Sequence, residues 1–116
     1  MVLSADDGLI DVHAHFTTPH YVGQAAASRQ RLPDGMAGQA WPNWTVEAQL
    51  DFMDCVGIAR SYLSLPSPGV HFGDDALAGT LAQEMNDAAA AIMEAHPDRF
   101  GFFRVVAAAR HRRRVR

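Results

Sequence analysis

The sequence predicts an α/β protein with a parallel sheet, in the order strand, loop, helix, strand, loop, helix, strand. Three observations carry this expectation. Short apolar runs alternate with stretches of helical spacing. The apolar run Leu9–His15 opens the alternation. No nucleotide-binding glycine pattern and no repeat beyond the alternation interrupts it.

The first strand is expected over Leu9 to His15. A long irregular segment follows from Thr17 to Asn43, punctuated by Pro19, Gly23, Pro33, Gly35, Gly38 and Pro42. A connection of that length inside a compact domain is usually functional or a lid. It leaves the far end of the first strand, so it is expected to lie over a site there. Its candidate substrate contacts are His20, Tyr21, Arg29, Arg31 and Trp41, each of which could equally be a surface-loop residue.

Thr45 is placed to cap the first helix, whose apolar stripe is Val46, Leu50 and Met53, with Gly57 just past its end. The second strand is Ile58 to Leu65, stopped by Pro66-Ser67-Pro68-Gly69. His71 lies in the next loop, as a substrate contact or a solvated histidine. Asp74 or Asp75 opens a second helix. Leu77, Leu81, Met85, Ala88 and Ile92 recur at the spacing of one buried face. Asn86 and Asp87 sit mid-helix, where a solvated or locally bonded role is expected. Pro97 closes the helix, Asp98-Arg99 makes a turn, and Phe100 to Val106 forms the third strand.

His13 and His15 are the most informative residues. Side chains two apart on a strand share a face, so the two imidazoles project together, away from Val12 and Ala14. Two imidazoles side by side can both ligate one transition metal. They stand at the carboxyl end of their strand, where parallel α/β proteins gather functional groups. Asp11 could orient a ligand or its water from behind, or could cap a backbone group near the strand.

Composition narrows the classes. A chain of 116 residues suits one small domain or a piece of a larger one, and 48% hydrophobic content is enough for a core. No apolar run reaches the roughly 18–20 residues of a membrane span. Met1 to Asp7 is polar and acidic, without the basic start of a secretory signal. Cys55 is a lone cysteine, so no internal disulfide is possible, and a buried structural thiol is expected. These features suit a soluble cytoplasmic protein. All ten basic residues are Arg, and five of them fall within Arg110–Arg116. Residues 1–109 therefore hold five Arg against thirteen carboxylates, a net of −8. An acidic body argues against nucleic acid as a partner.

Ile10-Asp11-Val12-His13-Ala14-His15, then Pro19 and Tyr21, resembles the opening of the metal-dependent amidohydrolase superfamily. The branch it is most similar to is the amidohydrolase-2 group, which includes aminocarboxymuconate-semialdehyde decarboxylase. Leu50-Asp51-Phe52-Met53-Asp54 through Gly57-Ile58 resembles that branch. So do Leu63 to Gly69, Asn86-Asp87, and His96-Pro97-Asp98-Arg99-Phe100. The resemblance covers residues 8–103. It implies a (β/α)8 TIM-type barrel, of which this chain would supply the N-terminal β-α-β-α-β part. It also implies one divalent metal, with His13 and His15 as its first-strand ligands, zinc as the expected ion and manganese as the alternative. The Ser67-Pro68-Gly69 turn matches a loop near the family's active site and is read as structural. The family's remaining ligands, a mid-barrel histidine and a last-strand aspartate, have no counterpart in this sequence. A divalent ion with an open position lowers the pKa of bound water and polarises a substrate oxygen. That chemistry supports hydrolysis of an amide, ester or lactone, or non-oxidative loss of CO2 from a small carboxylic acid.

A full barrel needs about 250 residues. The sequence also turns to Ala and Arg without periodicity after Phe103. Residues 1–106 are therefore expected to be a barrel fragment, and 107–116 a basic tail, frame-shifted or disordered. The expected partners are a small-molecule substrate and, in the parent protein, a second copy, with neither nucleic acid nor membrane. His71, Trp41 and Arg31 are the expected substrate contacts; no catalytic residue beyond the metal-activated water is named. The competing reading is a non-catalytic α/β module that binds a metal through His13 and His15, or a partner.

Overall fold

The computed structural model describes residues 8–28, 41–67 and 69–107. Its elements are β1 (Leu9–His15), α1 (Pro19–Ala27), α2 (Val46–Val56), β2 (Ile58–Ser64), α3 (Asp75–Ala95) and β3 (Phe100–Phe102). The three strands form one parallel sheet in the order β1-β2-β3. That is the expected α/β alternation, with one helix more than the sequence pattern showed.

The additional helix is α1. The glycines and prolines of Thr17–Asn43 predict an irregular segment, but Pro19 begins a helix instead. Thr18 is the N-cap: its Oγ1 accepts from the Tyr21 amide at 3.2 Å. Proline is at home in the first turn, where its missing N–H would have had no intrahelical partner. Ala25, Ala26 and Ala27 then extend the helix, since alanine has the highest helix propensity.

The other helix ends follow local chemistry. Thr45 Oγ1 caps α2 through the Ala48 amide at 3.1 Å, and Gly57 ends it at φ 80°, a conformation that glycine adopts without a Cβ clash. Asp74 caps α3 through the Leu77 amide at 3.0 Å. Cys55, expected to be buried, is exposed on α2. The buried residue of that helix is Met53, and position 55 has turned away from it.

Packing centres on Ala14, Phe16, Tyr21, Met53, Leu63, Met85, Ala89 and Phe100. A smaller cluster of Val70, Ala78, Leu81 and Ala82 lies alongside. The stripe read from α3 is shifted by one position in part: Leu81 and Met85 are buried as expected. Ala78, Ala82 and Ala89 are also buried, while Leu77, Ala88 and Ile92 are half-buried. Arg99 ties helix and sheet together. Its guanidinium donates to Ala59 O at 2.9 Å, to Ile58 O at 3.2 Å and to Asp54 Oδ1 at 2.8 Å.

β3 is three residues long, not the seven expected. It pairs with β2 only over Ser61, Tyr62 and Leu63. Beyond it, Asn86 takes over the ladder's work. Its Nδ2 donates to Val105 O at 2.8 Å, and its Oδ1 accepts from the Val105 amide at 2.7 Å. Asn86 is thus a tertiary clamp and not the solvated helix residue that was expected. Asp87 is locally bonded, accepting from Gln83 Nε2 at 2.8 Å.

Candidate functional site

β1 delivers His13 and His15 to the carboxyl end of the sheet. Its pairing with β2 has a register irregularity between Asp11 and Ala14, which brackets His13. Inside it, Asp11 Oδ1 accepts from the His13 amide at 2.9 Å. A strand irregularity of this kind re-aims a side chain. Asp11 thus caps a backbone group where the histidines leave the strand.

The two imidazoles meet edge to face, with ring centroids 4.7 Å apart and their Nε2 atoms 2.9 Å apart. Both residues are exposed. The ring nitrogens fit a shared ion. Two nitrogen ligands about 2.1 Å from one ion are about 3.0 Å apart at a right angle, and about 3.4 Å apart in a tetrahedron. The pair thus has the spacing of two adjacent ligands. Among the described residues, no group of three or more His, Cys, Asp or Glu could hold an ion, so this site offers two protein ligands.

The other two strand-end histidines are engaged elsewhere. His20 lies on α1, where its Nδ1 donates to Glu84 Oε2 at 2.6 Å and its Nε2 accepts from Gln24 at 3.3 Å. His71 Nε2 donates to Asp75 Oδ1 at 2.5 Å, and its Nδ1 accepts from the Gly73 amide at 3.3 Å. Both ring nitrogens of each are bonded within the protein.

Beside His15 lies an open apolar pocket lined, among the described residues, by His15, Phe16, Thr17, Trp41, Pro42, Trp44 and Pro66. Of the expected substrate contacts, Trp41 stands in this wall and His71 does not. Arg29 and Arg31 lie outside the described residues. Tyr21, also expected at the substrate, is core instead: it is fully buried, and its hydroxyl donates to Gly69 O at 2.7 Å. Gly69 has φ 77° and closes a turn through its amide to Pro66 O at 3.0 Å. Trp44, Phe16, Pro42 and Pro66 were not singled out from the sequence. The Trp41-Pro42-Asn43-Trp44 cluster was the available signal, because paired indoles just ahead of a helix cap are unusual in a solvated loop.

Parallel α/β proteins gather functional groups at the carboxyl ends of their strands, where the histidine pair and the pocket lie. Solved structures share the fold. The chain superposes on an amidohydrolase II crystal structure with TM-score 0.74 and 35% identity, over 82% of this chain and 30% of that one. It superposes on dihydroxybenzoic acid decarboxylase from a Polaromonas species, solved with bound manganese and the inhibitor 2-nitroresorcinol, with TM-score 0.65 and 26% identity. That match covers 86% of this chain and 30% of that one. No family model matches the chain.

The chain is similar to curated decarboxylases over the part of their length that it spans. It is 39% identical over 98 residues to Decarboxylase yanB of Aspergillus niger, covering 81% of this chain and 25% of that protein. It is 37% identical over 99 residues to 6-methylsalicylic acid decarboxylase of Penicillium expansum, covering 81% and 28%. The chain therefore spans little more than a quarter of the curated relatives it matches.

Proposed function

We propose that this chain forms the metal-bearing first part of a non-oxidative decarboxylase acting on a small aromatic carboxylic acid. The observation that carries this reading is the His13–His15 pair, with Nε2 atoms 2.9 Å apart, opening beside the apolar pocket. The relatives support decarboxylation over amide or lactone hydrolysis, since both curated proteins are decarboxylases. They also support a divalent ion; manganese is bound in the dihydroxybenzoate enzyme.

His13 and His15 hold the ion in this reading, and Asp11 holds the backbone that aims them. When bound, the ion supplies electrostatic stabilisation of the substrate's oxygens. The residues of the chain bind and orient. The histidines set the polar end of the site, and the pocket excludes water from the apolar end. Two protein ligands leave an ion weakly held, because catalytic sites ordinarily supply three. The 116 residues alone are thus expected to release CO2 from 6-methylsalicylic acid no faster than the free ion.

The test is manganese and zinc titration of the chain by calorimetry. One ion per chain is expected, with binding lost in His13→Ala and in His15→Ala and retained in His20→Ala and His71→Ala. Binding that persists unchanged in both strand variants would falsify the assignment.

A further inference from the structure

Zinc held by protein takes four ligands in a tetrahedron, and the strand-one pair supplies two of them. Among the described residues, no group of three or more His, Cys, Asp or Glu could complete the set. The histidines of the following segments are bound to carboxylates of α3, His20 to Glu84 and His71 to Asp75. We propose that a second copy of this chain supplies the other two ligands. One zinc ion is then held by His13 and His15 of each of two chains, across a two-fold axis. The proposal shares with the decarboxylase reading the pair as metal ligands, and needs nothing from decarboxylation itself.

Geometry, access and charge support it. The two Nε2 atoms are 2.9 Å apart, so each pair spans one edge of a coordination shell. A two-fold axis through the centre of a tetrahedron exchanges opposite edges. An ion on that axis is therefore shared by two identical pairs, and the assembly closes at two chains. Both histidines are exposed, on a strand whose one sheet neighbour among the described residues is β2. Ile10 and Val12 of the same strand are 59% and 64% exposed, which gives a second copy apolar surface to cover. Each chain carries a net charge of −3, and β1 has no Lys or Arg. Two copies thus repel at long range, and a divalent cation between them offsets that repulsion. Neutral imidazoles leave the ion its full charge while they bind it.

The experiment follows the full chain by sedimentation velocity, stripped of metal, under reducing conditions, as zinc is added. The zinc-dependent dimer is expected to peak at half an equivalent and to decline with excess, when each pair takes an ion of its own. That decline separates a bridging ion from general precipitation by metal. Cobalt in place of zinc should show the intense visible absorption of a four-coordinate site at half an equivalent, fading as excess ion replaces imidazole by water. Magnesium, which favours oxygen ligands, should give no dimer. His13→Ala and His15→Ala are each expected to lower zinc-dependent association more than about tenfold, since even a ligand's outer partner is worth about 10–100-fold in metal affinity. His20→Ala should keep the peak. So should Cys55→Ser, which removes the exposed thiol as a rival ligand. If a histidine variant unfolds, by amide dispersion, the peak at half an equivalent and the magnesium control carry the test on the unaltered chain. Zinc that binds one per chain with no dimer at any ratio overturns the proposal and keeps the metal-bearing reading. A dimer that vanishes in Cys55→Ser, or that persists when both strand histidines are replaced, overturns it as well. Zinc that does not bind removes both.

Discussion

β1 and β2 are both seven residues long, run parallel, and lie side by side, yet they do opposite work. β2 is the central strand: Ser61 and Leu63 are fully buried, and no residue of it is exposed. β1 has β2 as its one neighbour among the described residues. Leu9, Ile10 and Val12 are 67%, 59% and 64% exposed, and Ala14 alone is buried. The strand that carries the histidine pair is the one the fold leaves open. The difference teaches that β1 joins the described core through Ala14 alone. Its histidines lie beside the pocket, and its apolar residues present a surface that the helices described here do not cover.

The contrast breaks most visibly under truncation. Leu63→Ala removes a fully buried side chain that stands between Ala14 and Phe102 in the sheet register. A loss of about 2–5 kcal/mol is expected, the usual range for a buried Leu that leaves a cavity. Val12→Ala on the neighbouring strand is expected to stay within about 0.5 kcal/mol, as an exposed substitution does. Urea unfolding of the two variants measures both. Equal losses would mean that β1 is packed in solution and the contrast is false.

A smaller effect sharpens where the sheet ends. In Asn86→Ala, both the N–H and the C=O of Val105 lose their partner. The cost is expected to be about 1–3 kcal/mol, that of leaving part-buried polar groups unsatisfied. The specific readout is hydrogen exchange at Val105. Its amide should lose protection in Asn86→Ala and keep it in Asn86→Asp, which retains the acceptor. Protection in the Ala variant would show that the clamp is not what holds this segment.

Smaller again is Tyr21→Phe, which removes the hydroxyl that reaches Gly69 O at 2.7 Å and keeps the buried ring. About 0.5–1.5 kcal/mol is expected, the net worth of one hydrogen bond. Nitrogen relaxation should show Gly69 to Gly73 loosening relative to β2. An unchanged loop would mean that Phe72 and the other ring contacts of Tyr21 hold it unaided.

How much of this was legible depends on how local the cause is. β1 and the start of β2 could be read at the residue because their signals lie inside them: apolar runs bounded by Gly57 and by Pro66. The caps at Thr45 and Asp74 were readable for the same reason. The histidine pair followed from strand period alone, and the structure places its nitrogens 2.9 Å apart. What escaped was set by contacts distant in sequence. Beyond β3, Asn86, 19 residues away, satisfies Val105. Tyr21 is core because Gly69, 48 residues away, accepts its hydroxyl. The pocket wall joins Phe16 to Trp44 and Pro66, a juxtaposition that no periodicity encodes. α1 escapes for a different reason: the glycines and prolines of its segment predict an irregular chain, although Thr18 before Pro19 marks the start of a helix.

The smallest expected change in stability concerns the open edge itself. Among the described residues β1 pairs with a strand on one side only, and Leu9, Ile10 and Val12 are exposed on it. Proteins guard such edges by keeping them short or by placing a charge on them. β3, the opposite edge, is three residues long and so is guarded by length. β1 has seven residues and no basic side chain other than its histidines. The isolated chain is therefore expected to self-associate through this strand. Val12→Lys should shift the concentration dependence of sedimentation towards monomer, while unfolding stability moves by no more than about 0.5 kcal/mol. Ala48→Lys is the control, because it adds the same charge at an exposed position of α2. If both variants suppress association equally, the cause is net charge and not the edge. If Val12→Lys alone does so, β1 is the surface through which the chain self-associates.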